Sequence, residues 1–210
     1  MNMKTKKNLT KILAEIAIMA ALAFALDVLQ GGIFRGLFPN GGSIGFAMLP
    51  ILVLTFRRGF KAGFLAALIM SFLQMLGGIY AVADSWYMVL LQIILDYIIA
   101  YPLVAVAGIF YKAYHQSQNN KQKVKYLILG TILGGLLKLT SHYLAGVIFW
   151  SSSCPEGFLG GPALFSLVYN GEYMLPNIII NAALLVLIAL KQPKILNVED
   201  ASEGGLNNEK

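Results

Sequence analysis

Long apolar runs separated by short polar stretches constrain the fold of this 210-residue chain more than any other feature. A helix needs about 20 apolar residues to cross the roughly 30 Å hydrocarbon layer of a bilayer. We predict six spans, at residues 11–30, 44–56, 60–80, 86–111, 126–150 and 163–190. The second span is short, so a tilted or partly inserted helix is expected there. The sequence therefore predicts an all-α integral membrane protein, a bundle of six transmembrane helices.

The composition supports this interpretation. Hydrophobic residues make up 58% of the chain and charged residues 12%, whereas soluble domains usually carry about 25% charged residues. The mean hydropathy of +0.70 agrees with a membrane protein. Residues 1–194 are predicted to form a single transmembrane domain with no room for a soluble catalytic domain. Residues 195–210 are polar and predict a disordered cytoplasmic tail.

The basic residues lie mostly between the apolar runs, which argues against nucleic-acid binding despite the net charge of +6. Loops rich in Lys and Arg stay in the cytoplasm. With six spans, four basic clusters fall on one side of the membrane. These clusters are Lys4, Lys6, Lys7 and Lys11; Arg57, Arg58 and Lys61; Lys112, Lys121, Lys123 and Lys125; and Lys191 and Lys194. Both termini are therefore predicted to be cytoplasmic, in a multi-pass protein of the cell (plasma) membrane.

Several kinds of chemistry have no sequence support. Cys154 is the single cysteine, which excludes an internal disulfide and a cysteine metal cluster. Two histidines are too few for most metal sites, and no phosphate-loop motif is present. We therefore predict no metal, no cofactor and no enzymatic activity. If the protein moves a solute uphill, a partner or an ion gradient must supply the energy.

Ionisable groups inside the apolar runs carry the functional information, because the bilayer penalises each of them by a few kcal/mol or more. Asp96 lies in the fourth span, and Lys138 and His142 lie four residues apart on one face of the fifth. Polar side chains also recur at helical spacing in the sixth span. That stripe comprises Asn170, Tyr173, Asn177 and Asn181. A small, aromatic, cationic ligand would suit such a group, since a carboxylate neutralises its charge and aromatic faces attract cations.

Simpler explanations stay open for individual residues. Asp96 and Lys138 could neutralise each other between two helices, and His142 alone could be a packing residue. For Asn177 and Asn181, hydrogen bonding between helices is the favoured interpretation. Asp27 lies close to the outer end of the first span and is interpreted as interfacial.

Two further features allow two interpretations each. Trp86 and Trp150 lie at predicted outer boundaries, where they suit either an interfacial belt or a ligand site. The first span carries a stripe of small residues spaced by four, which suits close approach of another helix, either inside the bundle or on a partner. The stripe comprises Ala17, Ala21 and Ala25.

Taken together, five stretches resemble the thiamine-specific S-components (the ThiT family) of energy-coupling-factor (ECF) vitamin transporters. The most specific is Lys138-x3-His142-x3-Gly146-x3-Trp150. The others are residues 15–24, 50–63, 95–97 and 166–170. The resemblance spans almost the whole chain. It implies a six-helix fold with a thiamine site near the outer face, acting with an ECF transmembrane coupling subunit and two ATPase subunits.

The resemblance also implies roles for individual residues. Asp96 corresponds to the acid near the thiazolium cation, with Tyr97 as its aromatic neighbour. His142 and Asn170 correspond to pyrimidine contacts, and Trp150 to the stacking residue. The remaining implied roles are a polar site residue at Lys138, room for the ring at Gly146, further substrate contacts at Tyr169 and Trp86, and coupling-subunit docking at Ala17, Ala21 and Ala25.

Three alternatives remain at this point. The ligand could be another vitamin or a thiamine precursor, although a ligand without a fixed positive charge would leave Asp96 without a role. The chain could be an intramembrane enzyme, which would need a second positioned acid or base near Asp96 or His142. It could also be a non-catalytic structural membrane subunit.

Overall fold

The computed structural model describes residues 3–34 and 36–198, and their side chains from residue 8 onward. Six helices form the bundle within those residues, which contain no strand. Their bounds are α1 Met3–Phe34, α2 Leu49–Arg58, α3 Phe60–Leu76, α4 Trp86–Gln116, α5 Asn120–Phe149 and α6 Gly161–Lys191. The six-helix prediction is therefore confirmed. The basic side chains of residues 4, 6 and 7, Arg35 and the polar residues 199–210 lie outside the described residues.

The helices differ in how far they can reach across a bilayer. Within the described residues, α1 from Asn8 onward, α4, α5 and α6 are long and apolar enough to span one. The apolar helix α3 has 17 residues and extends for about 25 Å at 1.5 Å per residue. Helix α2 has 10 residues and covers only about 15 Å. The chain is thus a multi-pass membrane protein, and α2 alone is too short to span the bilayer.

The predicted second span began five residues too early. Residues 44–48 are not helical, and α2 begins at Leu49 with Pro50 in its first turn. Proline suits the first turn of a helix but disfavours helical backbone in the residue before it. Irregular backbone at membrane depth is tolerated where protein covers it. Here α6 covers it, because Asn177 Oδ1 accepts a hydrogen bond from the Gly45 amide at 2.6 Å.

Helix α4 is continuous but irregular at the position of Asp96. Residues Ile94–Ile99 form a π-helical segment, in which each hydrogen-bonded ring takes one more residue than in an α-helix. The Ser141 hydroxyl of α5 donates to the Leu95 carbonyl at 2.7 Å, and Pro102 follows within the next turn. Such segments occur frequently at functional sites.

The bundle has two chemically different ends. At the end that carries residues 36–48, 77–85 and 150–160, polar side chains line a cavity, and we call this the site end. At the opposite end Glu15 contacts Arg57 and Arg58, and Arg57 donates to three backbone carbonyls beyond α6. We call these three side chains the arginine clamp. The predicted tail, which starts at residue 195, is therefore held at its beginning.

Candidate ligand-binding site

A cavity of about 780 Å³ lies between the helices at the site end. Ligand pockets in proteins are typically about 300–1,000 Å³, so a two-ring vitamin-sized molecule fits. The structure brings eight of the nine sequence-predicted substrate residues to the cavity wall. They are Asp96, Tyr97, Lys138, His142, Gly146, Trp150, Tyr169 and Asn170.

Asp96 is the centre of the polar group at this wall. The His142 Nδ1 atom lies 3.3 Å from one carboxylate oxygen, and Trp150 Nε1 donates to the other at 3.4 Å. Both distances exceed the usual value of about 2.9 Å for an N–H···O hydrogen bond. An ionised carboxylate can only accept, so Nδ1 of His142 donates in this contact, and in the neutral imidazole Nε2 is then an acceptor. Asp96 therefore keeps acceptor capacity for a ligand.

An aromatic pair stands beside the carboxylate. Tyr80 is stacked on Trp150, with ring centroids 5.2 Å apart and planes inclined by 25°. The Tyr97 hydroxyl accepts a hydrogen bond from the Tyr80 amide at 3.0 Å, which holds the segment before α4 near the cavity. These rings offer flat faces for an aromatic or cationic ligand.

Helix α6 contributes an amide at the same wall. The Asn170 side chain donates to the Ser166 carbonyl at 2.9 Å, and its oxygen accepts from the Tyr173 hydroxyl at 2.5 Å. Gly146 of α5 permits this arrangement, since a Cβ atom there would overlap the Ser166 hydroxyl and lie 3.3 Å from Asn170 Nδ2. The resemblance implied that Gly146 leaves room for a ligand ring. Gly146 lines the cavity, and its lack of a Cβ atom also lets α6 approach α5 closely at Ser166 and Asn170.

Lys138 does not pair with Asp96. Among the ion pairs between described residues none involves Lys138, and its Nζ atom lies 3.4 Å from the centroid of the Tyr101 ring. The Tyr101 hydroxyl donates to Asp27 Oδ1 at 2.6 Å, and Gln74 donates to Oδ2 at 2.6 Å. Asp27, interpreted from the sequence as interfacial, lines the cavity.

The segment before α2 closes one side of the cavity. Gly41, Gly42 and Ser43 line it, and Tyr169 binds this segment by accepting from the Asn40 amide and donating to the Gly41 carbonyl, both at 3.0 Å. Asn177 donates to the Ser43 carbonyl at 2.8 Å.

Asn181 completes the attachment deeper in the bundle by donating to the Gly45 carbonyl at 3.0 Å. The predicted hydrogen bonding between helices is therefore wrong for Asn177 and Asn181, because both amides bind this irregular segment instead.

Trp86 is the one predicted substrate residue that the structure keeps away from the cavity. Its side chain is 79% exposed and packs edge-on against Tyr87. A tryptophan at the end of an apolar helix gives the same sequence pattern whether it faces lipid or a cavity. Position alone therefore could not distinguish the exposed Trp86 from the cavity residue Trp150.

Among the cavity residues that escape prediction from the sequence are Asp27, Gln74, Tyr80 and Tyr101. For Asp27 the signal was present, since an acid within an apolar run is costly. No such signal existed for Tyr101. In a regular α-helix the Tyr101 side chain would point about 140° away from that of Asp96. The extra residue of the π-helical segment turns both side chains toward one face.

The alanine stripe of α1 faces away from the bundle. Ala17, Ala21 and Ala25 are all exposed, whereas Ile16, Ala20 and Ala23 of the same helix are buried. Internal packing of the stripe is thereby excluded. Its outward face leaves room for lipid or for a helix of another protein.

Comparison with known proteins matches this chain to one family along nearly its full length. The model of the family described as "Thiamine transporter protein (Thia_YuaJ)" matches residues 13–197. The thiamine transporter ThiT of Bacillus subtilis is 33% identical over 204 residues, which cover 95% of this chain and 100% of the relative. ThiT of Lacticaseibacillus paracasei is 29% identical over 205 residues, 94% of this chain and 96% of that protein.

A solved structure of ThiT from Listeria monocytogenes is similar to this fold, with a TM-score of 0.74 and 28% sequence identity. The similarity covers 91% of this chain and 100% of that one.

Proposed function

The chain belongs to the thiamine transporter family, and on that premise we propose that it binds thiamine in the cavity at the site end, as the substrate-specificity subunit of an ECF-type importer. It is a multi-pass membrane protein and not an enzyme. The observation that carries the proposal is Asp96, a carboxylate held between His142 and Trp150 by two long contacts at 3.3 and 3.4 Å, with capacity to accept more.

Each part of thiamine meets a suitable group. The thiazolium ring carries a fixed positive charge, which Asp96 neutralises. The aminopyrimidine ring presents hydrogen-bond donors and acceptors along one edge. The free Nε2 of His142 and the amide of Asn170 hydrogen-bond to that edge. Trp150 supplies a flat face for stacking, and Tyr80 moves aside from its present place on that face or stacks on the other side of the ligand. Tyr97, Lys138 and Tyr169 complete the polar wall.

Energy for uptake comes from partner subunits in this proposal. The sequence contains no phosphate loop, and the outward alanine stripe of α1 suits close approach of another helix in lipid. We assign Ala17, Ala21 and Ala25 to contact with an ECF transmembrane coupling subunit, which two ATPase subunits drive. The basic clusters favour cytoplasmic termini, so the cavity opens toward the outside of the plasma membrane.

Tryptophan fluorescence tests the binding proposal, because Trp86 and Trp150 are the two tryptophans of the chain. Titration of the purified protein with thiamine should give a saturable change. The change should persist in Trp86→Phe and be lost in Trp150→Phe. A wild-type protein that shows no saturable signal at micromolar thiamine would contradict the proposal. Competition with the separate pyrimidine and thiazole halves distinguishes thiamine from a precursor, since a precursor site would prefer its own half.

The docking proposal needs a separate assay. Ala17→Trp or Ala21→Trp should leave thiamine affinity unchanged and block thiamine uptake by the assembled transporter in liposomes. Ile179→Trp is the matched control, because Ile179 of α6 is also strongly exposed but lies outside the stripe. Uptake at the wild-type rate in the alanine variants would remove the stripe from the proposal.

A further inference from the structure

We infer that Asp27 determines the charge selectivity of the cavity. It balances the charge of Lys138 through the ring of Tyr101, so that the carboxylate of Asp96 is left as the unbalanced charge facing the ligand. The inference rests on the proposed function and extends it to a residue that contacts neither His142, Trp150 nor Asn170 among the described hydrogen bonds.

Asp27 lies in helix α1 and lines the same cavity as Asp96. Both of its oxygens accept short hydrogen bonds, from Tyr101 of α4 and from Gln74 of α3, each at 2.6 Å. Both donors are neutral, so they stabilise the negative charge of Asp27 by hydrogen bonding but do not neutralise it. Three helices meet at this carboxylate, which fixes its position relative to the cavity.

Lys138 is the candidate for the compensating charge, as the one Lys or Arg among the described residues that line the cavity. Its side chain is 6% exposed, and a buried ammonium group is costly unless other groups stabilise it. The Nζ atom lies 3.4 Å above the Tyr101 ring, in a cation–π contact. A phenol that donates to a carboxylate gains electron density in its ring, which strengthens that contact. Tyr101 therefore couples Lys138 electrostatically to Asp27 without a direct ion pair.

The formal charges of the cavity follow from this coupling. Among the described residues that line it, the charged side chains are Asp27, Asp96 and Lys138, with His142 counted as neutral. Two carboxylates and one ammonium leave one negative charge. Because Lys138 is coupled to Asp27, the uncompensated charge lies at Asp96, where it matches a ligand with a single fixed positive charge. Loss of Asp27 would leave Lys138 to repel that ligand.

The test compares two ligands of nearly equal shape: thiamine, and its analogue with a neutral thiophene ring in place of the thiazolium. The measured quantity is the ratio of their dissociation constants, analogue over thiamine. For Asp27→Asn we expect this ratio to fall by about tenfold, the order expected for one unit charge across several ångströms at an effective dielectric constant near 20. Lys138→Met should raise the ratio, and Asp27→Asn with Lys138→Met should return it toward the wild-type value.

The double variant separates electrostatics from structure. If Asp27 only supports the fold, Asp27→Asn weakens both ligands equally, the ratio stays at the wild-type value, and the inference is wrong. If Asp27→Asn does not fold, Tyr101→Phe provides the same test: it keeps the ring under Lys138, removes the contact to Asp27, and should lower the ratio by a smaller factor. A wild-type protein that binds neither ligand would contradict the proposed function, whereas wild-type binding with an unchanged ratio in the variants contradicts only this inference.

Discussion

Two carboxylates, one at each end of the bundle, meet opposite conditions. Glu15 of the arginine clamp accepts four hydrogen bonds from the guanidinium groups of Arg57 and Arg58, at 2.6–3.3 Å. Asp96 at the site end accepts two long ones, at 3.3 and 3.4 Å. An ionised carboxylate has about four acceptor positions. Those of Glu15 are filled within the protein, and those of Asp96 are half empty and face a cavity.

This difference distinguishes an ion cluster that stabilises the fold from a carboxylate that can bind a ligand. The arginine clamp joins α1, α2 and the segment after α6, since Arg57 also donates to the carbonyls of Lys194, Ile195 and Asn197 at 2.8–3.0 Å. A ligand has nothing to add there. At Asp96 a cationic ligand completes the coordination. We therefore expect substitutions in the clamp to change stability, and substitutions around Asp96 to change affinity.

The largest expected effect tests the structural side of the comparison. Glu15→Gln removes the carboxylate that Arg57 and Arg58 share in a largely buried setting, which should lower the free energy of unfolding by about 3–5 kcal/mol. Unfolding by titration with a denaturing detergent measures it. Glu172→Gln is the control, because Glu172 is exposed and takes part in none of the described ion pairs. A clamp variant as stable as that control would contradict the structural role of Glu15.

The second effect tests the binding side. Asp96→Asn keeps the shape of the side chain and removes its charge, so thiamine affinity should fall by about 2–4 kcal/mol while the free energy of unfolding changes little. Calorimetric titration measures the affinity. Asp84→Asn provides the control, since Asp84 is exposed and does not line the cavity. Equal affinities in the two variants would remove Asp96 from the site.

A smaller loss is expected at the aromatic wall. Trp150→Ala removes the stacking face and the donor to Asp96, and should weaken thiamine binding by about 1–3 kcal/mol, by analogy with base stacking on aromatic side chains. Equilibrium dialysis with labelled thiamine avoids dependence on the fluorescence of this residue. Unchanged affinity would reduce Trp150 to an interfacial residue.

The smallest effect is expected at the other tryptophan, Trp86. Trp86→Ala alters an exposed side chain outside the cavity, so affinity should change by less than about 0.5 kcal/mol. The same dialysis measurement applies. A loss as large as that of Trp150→Ala would mean that the segment before α4 folds over the cavity when ligand binds.

Much of this architecture follows from the sequence. Apolar length predicts the long helices, and the cost of placing charge in a bilayer is enough to single out Asp96, Lys138 and His142 from the sequence alone. The start of α2 was misplaced because an apolar run does not reveal where the backbone becomes helical, although Pro50 marked the position.

The contacts that join Asp27, Tyr101 and Lys138 could not be derived in the same way. A sequence pattern assumes a constant helical period, and the π-segment at Ile94–Ile99 changes that period between Asp96 and Tyr101. The contact of Lys138 with the Tyr101 ring, rather than with Asp96, depends on the direction in which this segment turns the Tyr101 side chain. The role of Asp27 depends on the same direction.

The central claim is that Asp96 completes its coordination with a cationic ligand, and the structure of the thiamine complex tests it most directly. We expect the thiazolium ring within about 4–6 Å of the Asp96 carboxylate, the pyrimidine ring against Trp150, and an unchanged arginine clamp. A complex with thiamine bound outside this cavity, or with Asp96 still bonded only to His142 and Trp150, would contradict the claim.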